Sequence, residues 1–195
     1  MLKIVLPAAL AAAILAPSAA VAQSVPPAII AVVDLDKVTT NCTACKTART
    51  TLQGQLTALQ NRQKTLTTPL ETEGKAIQAA VDALKGKEPD AALQARANAW
   101  QTKRNQAAQE LVRQEQQIQR NQAYITQQIQ QKLGPIYRQV MQRRGANLMI
   151  EVGTTLATGA TLDVTNDVLT ALNAAMPTLQ TTAPAQPRQQ QPQGR

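Results

Sequence analysis

The sequence predicts a mainly helical α+β protein, with a long antiparallel coiled-coil hairpin inserted into a small β-rich oligomerisation body. Three observations lead there. Two long stretches repeat aliphatic residues at alternating steps of four and three, separated by Gly86-Lys87-Glu88-Pro89-Asp90. Short β-branched runs lie on either side of that pair. The chain contains no Phe, one Trp and two Tyr, so the rings that fill most compact cores are missing. Long helices stabilised by association suit such an alanine-rich composition.

The elements follow in order. Lys3 precedes an apolar run from Ile4 to Ala16; Pro17 breaks it, and Ala20-Val21-Ala22 offers small residues to a signal peptidase. The run is shorter than the roughly 20 residues that span a bilayer. Residues 1–22 are therefore expected to be a cleaved secretory signal, and the protein to be periplasmic. Ile29-Ile30-Ala31-Val32-Val33, after Pro26-Pro27, reads as a strand. Polar residues run from Thr39 to Thr51. A helical seam then passes through Leu52, Leu56, Leu59, Gln63, Leu66, Leu70, Glu73, Ile77, Val81 and Leu84.

After the break, Asp90 is placed to cap a second helix from about Ala91 to Arg144. Its seam uses Leu93, Ala97, Trp100, Arg104, Ala107, Leu111, Ile118, Ile125, Ile129, Leu133, Ile136 and Val140, with Gln114 and Gln122 filling gaps. The two helices should fold back on each other, with arms of roughly 60 to 80 Å at 1.5 Å per residue. Pro69 and Pro135 fall inside them and are candidate hinges, since each removes a backbone donor and crowds the preceding turn. Beyond Gly145, Asn147–Val152 reads as a second strand, Gly153-Thr154 as a turn and Thr155–Thr158 as a third strand. A last helix holds Val168, Leu169 and Leu172, with Asp163, Thr165 or both as its cap and Pro177 at its end. The Thr, Pro and Gln of residues 178–195 suggest disorder. The expected division is a body of 23–41 and 146–177, an arm of 42–145 and the tail. Three short strands and one helix bury little, so the body is expected to homo-oligomerise.

Charge separates along the same boundaries. The formal net charge is +8. Residues 42–145 hold sixteen Lys and Arg against seven Asp and Glu, whereas the body has Lys37 against Asp34, Asp36, Glu151, Asp163 and Asp167. A basic arm on an acidic base suits an anionic partner. The periplasm argues against nucleic acid and leaves acidic unfolded polypeptide, lipopolysaccharide and anionic lipid. The candidate contact residues are Arg62, Lys64, Lys75, Lys85, Lys87, Arg96, Lys103, Arg104, Arg113 and Arg120.

The motif Cys42-Thr43-Ala44-Cys45 is the one hint of chemistry. A CxxC can exchange disulfides, yet no βαβ pattern surrounds it, and two cysteines without histidine do not complete a zinc site. A structural disulfide in an oxidising compartment is the expected role. The sequence has no His, which removes the commonest general base, and no Walker loop for ATP. Neither an enzymatic activity nor a cofactor is expected.

Three segments carry a family resemblance. Ala31-Val32-Val33-Asp34-Leu35-Asp36-Lys37-Val38 resembles the opening strand and turn of the Skp/OmpH periplasmic chaperones. Leu148-Met149-Ile150-Glu151-Val152 is similar to the strand after their hairpin, and Asp163-Val164-Thr165-Asn166-Asp167-Val168-Leu169 to their closing segment. The resemblance implies a jellyfish-like homotrimer whose three helical tentacles enclose a cavity. It also implies ATP-independent holding of unfolded outer-membrane proteins. The CxxC, the glutamine-rich arms and the Pro/Gln tail depart from the family pattern. The competing classes are a coiled-coil adaptor of an envelope complex and a thiol oxidoreductase using Cys42 and Cys45.

Overall fold

The computed structural model describes residues 25–185; the expected signal segment and residues 186–195 lie outside them. The order is β1 (Ile30–Val33), α1 (Leu35–Asn41), α2 (Thr43–Ala83), α3 (Ala91–Arg144), β2 (Leu148–Glu151) and α4 (Thr165–Ala175). Single 3-10 turns at Val152–Thr154 and Ala160–Leu162 lie between β2 and α4.

Local chemistry sets most boundaries. The Asp34 carboxylate accepts the Lys37 N–H at 2.8 Å and caps α1. Asp90 does the same for α3 through the Leu93 N–H at 2.8 Å. Gly145, at φ +65°, takes the left-handed turn that ends α3, and the Ala146 N–H returns to the Met141 carbonyl at 2.9 Å.

The Thr-rich stretch before the first seam is helical, contrary to its polar appearance. Thr47, Thr50 and Thr51 direct their hydroxyls to the carbonyls four residues back, while Ala44, Cys45 and Ala48 are buried. Cys42, whose backbone is non-helical, ends α1 and caps the start of α2. The Asn173 side chain on α4 accepts the Thr43 N–H at 2.9 Å, a cap supplied from 130 residues away.

The sheet has two parallel strands, with Ile30 opposite Leu148 and Val33 opposite Glu151. Parallel strands need a long crossover, and the whole helical hairpin serves as that crossover. Asn147 clamps the lead-in: its side chain accepts the Ile29 N–H at 2.7 Å and donates to the Pro27 carbonyl at 2.8 Å.

The expected third strand at Thr155–Thr158 is absent. Thr154 and Thr155 hydroxyls bond the Glu151 and Val152 carbonyls at 2.8 Å, turning the chain off the sheet. The other edge of β1 meets a single parallel bridge instead, Val32 with Asp163, backed by the Val164 N–H on the Val32 carbonyl at 2.8 Å. Of the two proposed caps of α4, Asp163 satisfies the first N–H of the helix and Thr165 does not cap it. Asp163 accepts the Thr165 N–H at 2.8 Å, and the Thr165 hydroxyl accepts the Asp34 N–H at 2.9 Å, tying α4 to the start of α1.

The core gathers Val38, Cys42, Val140, Val168 and Leu172, all fully buried, with Ala31, Val33, Leu133 and Ile136 around them. It therefore joins β1, α1, the start of α2, the end of α3 and α4. The chain after α4 lies back against the body and α3. Met176 is buried, Leu179 packs on the core, and Gln180 and Ala183 bond to α3.

Candidate functional site

The hairpin arm is the largest surface feature. Its seam lies largely where the heptads place it: Ile77, Ala107, Ile125, Leu133, Ile136 and Val140 are buried, and Leu52, Leu59, Leu66, Leu70, Leu93, Ala97, Leu111, Ile118 and Ile129 are half-buried. Gln122 faces solvent and Asn121 takes the inner position, 3 % exposed. Its side chain donates to the Gln55 carboxamide across the hairpin at 2.9 Å. Cover is incomplete elsewhere: Leu56, Val81 and Val112 are 42, 40 and 51 % exposed.

Two forked ion pairs staple the helices. Arg62 holds Glu110 at 2.6 and 3.1 Å, and Arg96 holds Glu73 at 2.6 and 2.9 Å. Those hydrogen bonds keep both carboxyls below the usual carboxylate range and raise both guanidinium groups. The partners lie at nearly equal distances from Gly86, as an antiparallel fold about that turn requires. Such pairing was open to inspection in the sequence once the turn was located.

Trp100 is a packing residue. Its indole N–H donates to the Leu70 carbonyl at 2.8 Å. The ring lies over Gly74, where an added Cβ would stand 3.1 Å from Cζ2. Arg104 covers the ring at 5.5 Å from its centroid.

Of the ten cations singled out from sequence, four are thus engaged within the chain. Arg62 and Arg96 are in ion pairs, Arg104 lies on Trp100, and Arg120 bonds Gln117. Lys64, Lys75, Lys85, Lys87, Lys103 and Arg113 are exposed, and none forms an ion pair among the described residues. Lys85 and Lys87 stand at the turn.

Both prolines lie inside continuous helices. Pro69 has no N–H for the carbonyl four residues back. A cleft of about 290 Å³ opens there between Leu66, Leu70, Lys103 and Ala107. A second cleft, about 490 Å³, lies where the arm meets the body and is lined by Leu35, Ile129, Leu133, Gly134 and Tyr137. Burial pushes the Tyr137 hydroxyl up.

Cys42 and Cys45 form a disulfide with Cα atoms 5.1 Å apart. Both sit in the core, 0 and 6 % exposed, and the Cys42 sulfur accepts the Cys45 N–H at 3.2 Å. Exchange needs a thiolate to reach a sulfur, and Cys42 is fully buried and Cys45 nearly so. Among the described residues no group of three or more His, Cys, Asp or Glu could hold a metal. No helix there is long and apolar enough to cross a membrane.

A family profile described as Outer membrane protein (OmpH-like) matches residues 29–172. A solved structure from Caulobacter crescentus CB15, an OmpH-like candidate outer membrane chaperone, superposes with a TM-score of 0.66 at 20% identity, covering 80% of this chain and 90% of that one. At that identity the match speaks to the fold. No curated protein matches significantly.

Proposed function

This chain belongs to the OmpH-like family, and we propose on that premise that it is an ATP-independent periplasmic holdase for unfolded outer-membrane proteins. The observation that carries the reading is the arm's surface. Partly covered aliphatics at Leu56, Val81 and Val112 alternate with cations free of ion pairs at Lys64, Lys75, Lys103 and Arg113. Each apolar contact is weak. Many of them along a long helix hold a structureless chain by avidity, and the cations draw acidic segments from a distance. The charged heads of lipopolysaccharide or anionic lipid suit the same cations.

Self-association through the body, as a trimer, completes the reading. Ile29, Ile30, Leu148, Leu156 and Leu162 are exposed there, and a two-stranded sheet is too small to stand alone. Three arms around a cavity would bend at Pro69 and Pro135 to fit clients of different size; Pro69→Ala with Pro135→Ala should narrow the range of clients held, and unchanged capture of large and small clients would count against the hinges.

The test is light scattering as a urea-denatured outer-membrane β-barrel protein is diluted into buffer with and without the purified chain. Suppressed aggregation without ATP, near one oligomer per client, is expected. Unchanged aggregation by the folded protein would favour an envelope adaptor, which pull-downs would reveal as one stoichiometric partner. A monomer in sedimentation at micromolar concentration would remove the trimer.

A further inference from the structure

After α4 the chain turns back along α3, and two carboxamides of α3 take hold of its main chain. Gln128 Nε2 donates to the Gln180 carbonyl at 2.8 Å, and Gln128 Oε1 accepts the Gln180 N–H at 3.1 Å. Asn121 Oδ1 accepts the Ala183 N–H at 2.9 Å. No tail side chain takes part in these three bonds. The Gln128 clasp is the exchange of N–H and C=O that a neighbouring strand would offer.

The spacing explains why a helix can do this. Asn121 and Gln128 are two turns apart, about 10.5 Å along the helix. The tail spans that interval in three residues and bends at Thr182 on the way. That bend turns the Ala183 N–H to the same side as the Gln180 N–H and C=O, which an unbroken strand, with residues three apart facing opposite edges, would not do.

Asn121 is also fixed in advance. Its amide nitrogen lies on Gln55 at 2.9 Å and its oxygen also accepts from Gln117 at 2.8 Å, both contacts within the arm. A side chain held on both sides aims an acceptor at the passing backbone at little entropic cost.

We propose that Asn121 and Gln128 form a site that reads the main chain of a passing polypeptide segment, and that residues 180–185 are its built-in occupant, displaced by a client. Who owns the incoming segment rests on the holdase reading; the site itself does not. Main-chain recognition is independent of side-chain identity, as a holder of many clients needs. A tethered occupant competes at an effective concentration of about a millimolar. Short or weak segments are therefore turned away, and a client that also grips the rest of the arm gains entry.

The test uses the full chain with Gln180→Pro and Ala183→Pro, which remove the two tail donors and leave α3 untouched. Two fluorescein-labelled peptides are titrated by anisotropy: residues 176–185 of this chain, and an unrelated uncharged peptide of equal length. Both should bind this variant about tenfold more tightly than the parent, as removing a tethered competitor predicts. N-methylating every amide of the unrelated peptide, or adding Gln128→Leu to the variant, should abolish the gain. No gain, a gain for the tail sequence alone, or a gain that survives Gln128→Leu would each overturn the proposal. Matching thermal melts establish that the variants fold. If the parent fails to suppress client aggregation while the peptide gain appears, the holdase reading falls and the site stands. If the parent suppresses aggregation and no peptide gain appears, the site falls and the holdase reading stands.

Discussion

Replacing Cys42 and Cys45 together by alanine removes a cross-link, a cap and buried volume at one place in the core. The cross-link spans a sequence separation of 3; the chain-entropy relation assigns so small a ring about 1.5–2 kcal/mol. The Cys42 sulfur also accepts the Cys45 N–H at the start of α2, and losing that weak cap costs about 0.5 kcal/mol. Exchanging two buried sulfurs for hydrogen removes roughly 1 kcal/mol of packing. The sum is about 3 kcal/mol. With a urea dependence of about 2 kcal/mol per molar, the midpoint should fall by about 1.5 M.

Far-UV circular dichroism in urea measures this, at one fixed protein concentration because self-association would shift the midpoint. The parent chain reduced under denaturing conditions and refolded with its thiols free should fall between, having lost the ring and kept the volume. Equal midpoints for the oxidised parent and the double variant would refute the reasoning. The native oxidised protein should also exchange with glutathione no faster than its body opens, since both sulfurs are buried. Rapid, saturable exchange by the folded protein would restore the oxidoreductase reading.

Three further outcomes follow from the packing. Leu172→Ala empties a fully buried position and should destabilise the body by about 2–5 kcal/mol in the same urea titration. The Arg62 and Arg96 pairs hold Glu110 and Glu73 below their ordinary pKa, so their contribution is complete above the unfolded value near about 4.3 and disappears as pH falls through the lower folded values. Thermal melts of Glu73→Gln with Glu110→Gln should lie below the parent at neutral pH and converge with it in acid; a gap that widens in acid would reverse the sign. Gly74→Leu puts a side chain where the Trp100 ring lies, so emission from this lone tryptophan should shift to the red, and an unshifted spectrum would mean that the ring is not seated there.

The readings that succeeded depended on near neighbours. Asp90, Gly145 and the heptads act within a turn or two of their own positions, which is why α3 begins at Ala91 and ends at Arg144 as expected. The Thr39–Thr51 stretch carried no heptad to read. Its hydroxyls look like loop chemistry, and only the burial of Ala44, Cys45 and Ala48 against the body reveals the helix's purpose. Thr154 and Thr155 did form local hydroxyl bonds, and those bonds removed a strand from the sheet. At the seam, Asn121 and Gln122 are adjacent polar residues of equal promise. Contacts to Gln55 and Ala183 chose between them, and neither contact has a local signature.

Period, charge and stop signals are properties of a few consecutive residues, so the sequence by itself determined that this protein has two long helices, where they break, and that their surface is basic. Tertiary structure alone decided which cations are free and which staple the hairpin. It also put the CxxC in the core, drew Asn173 onto the start of α2 and laid the tail along α3. Each of those outcomes depends on groups many residues apart meeting at hydrogen-bond distance. Such meetings are set by the common burial of several faces at once, which no local pattern encodes.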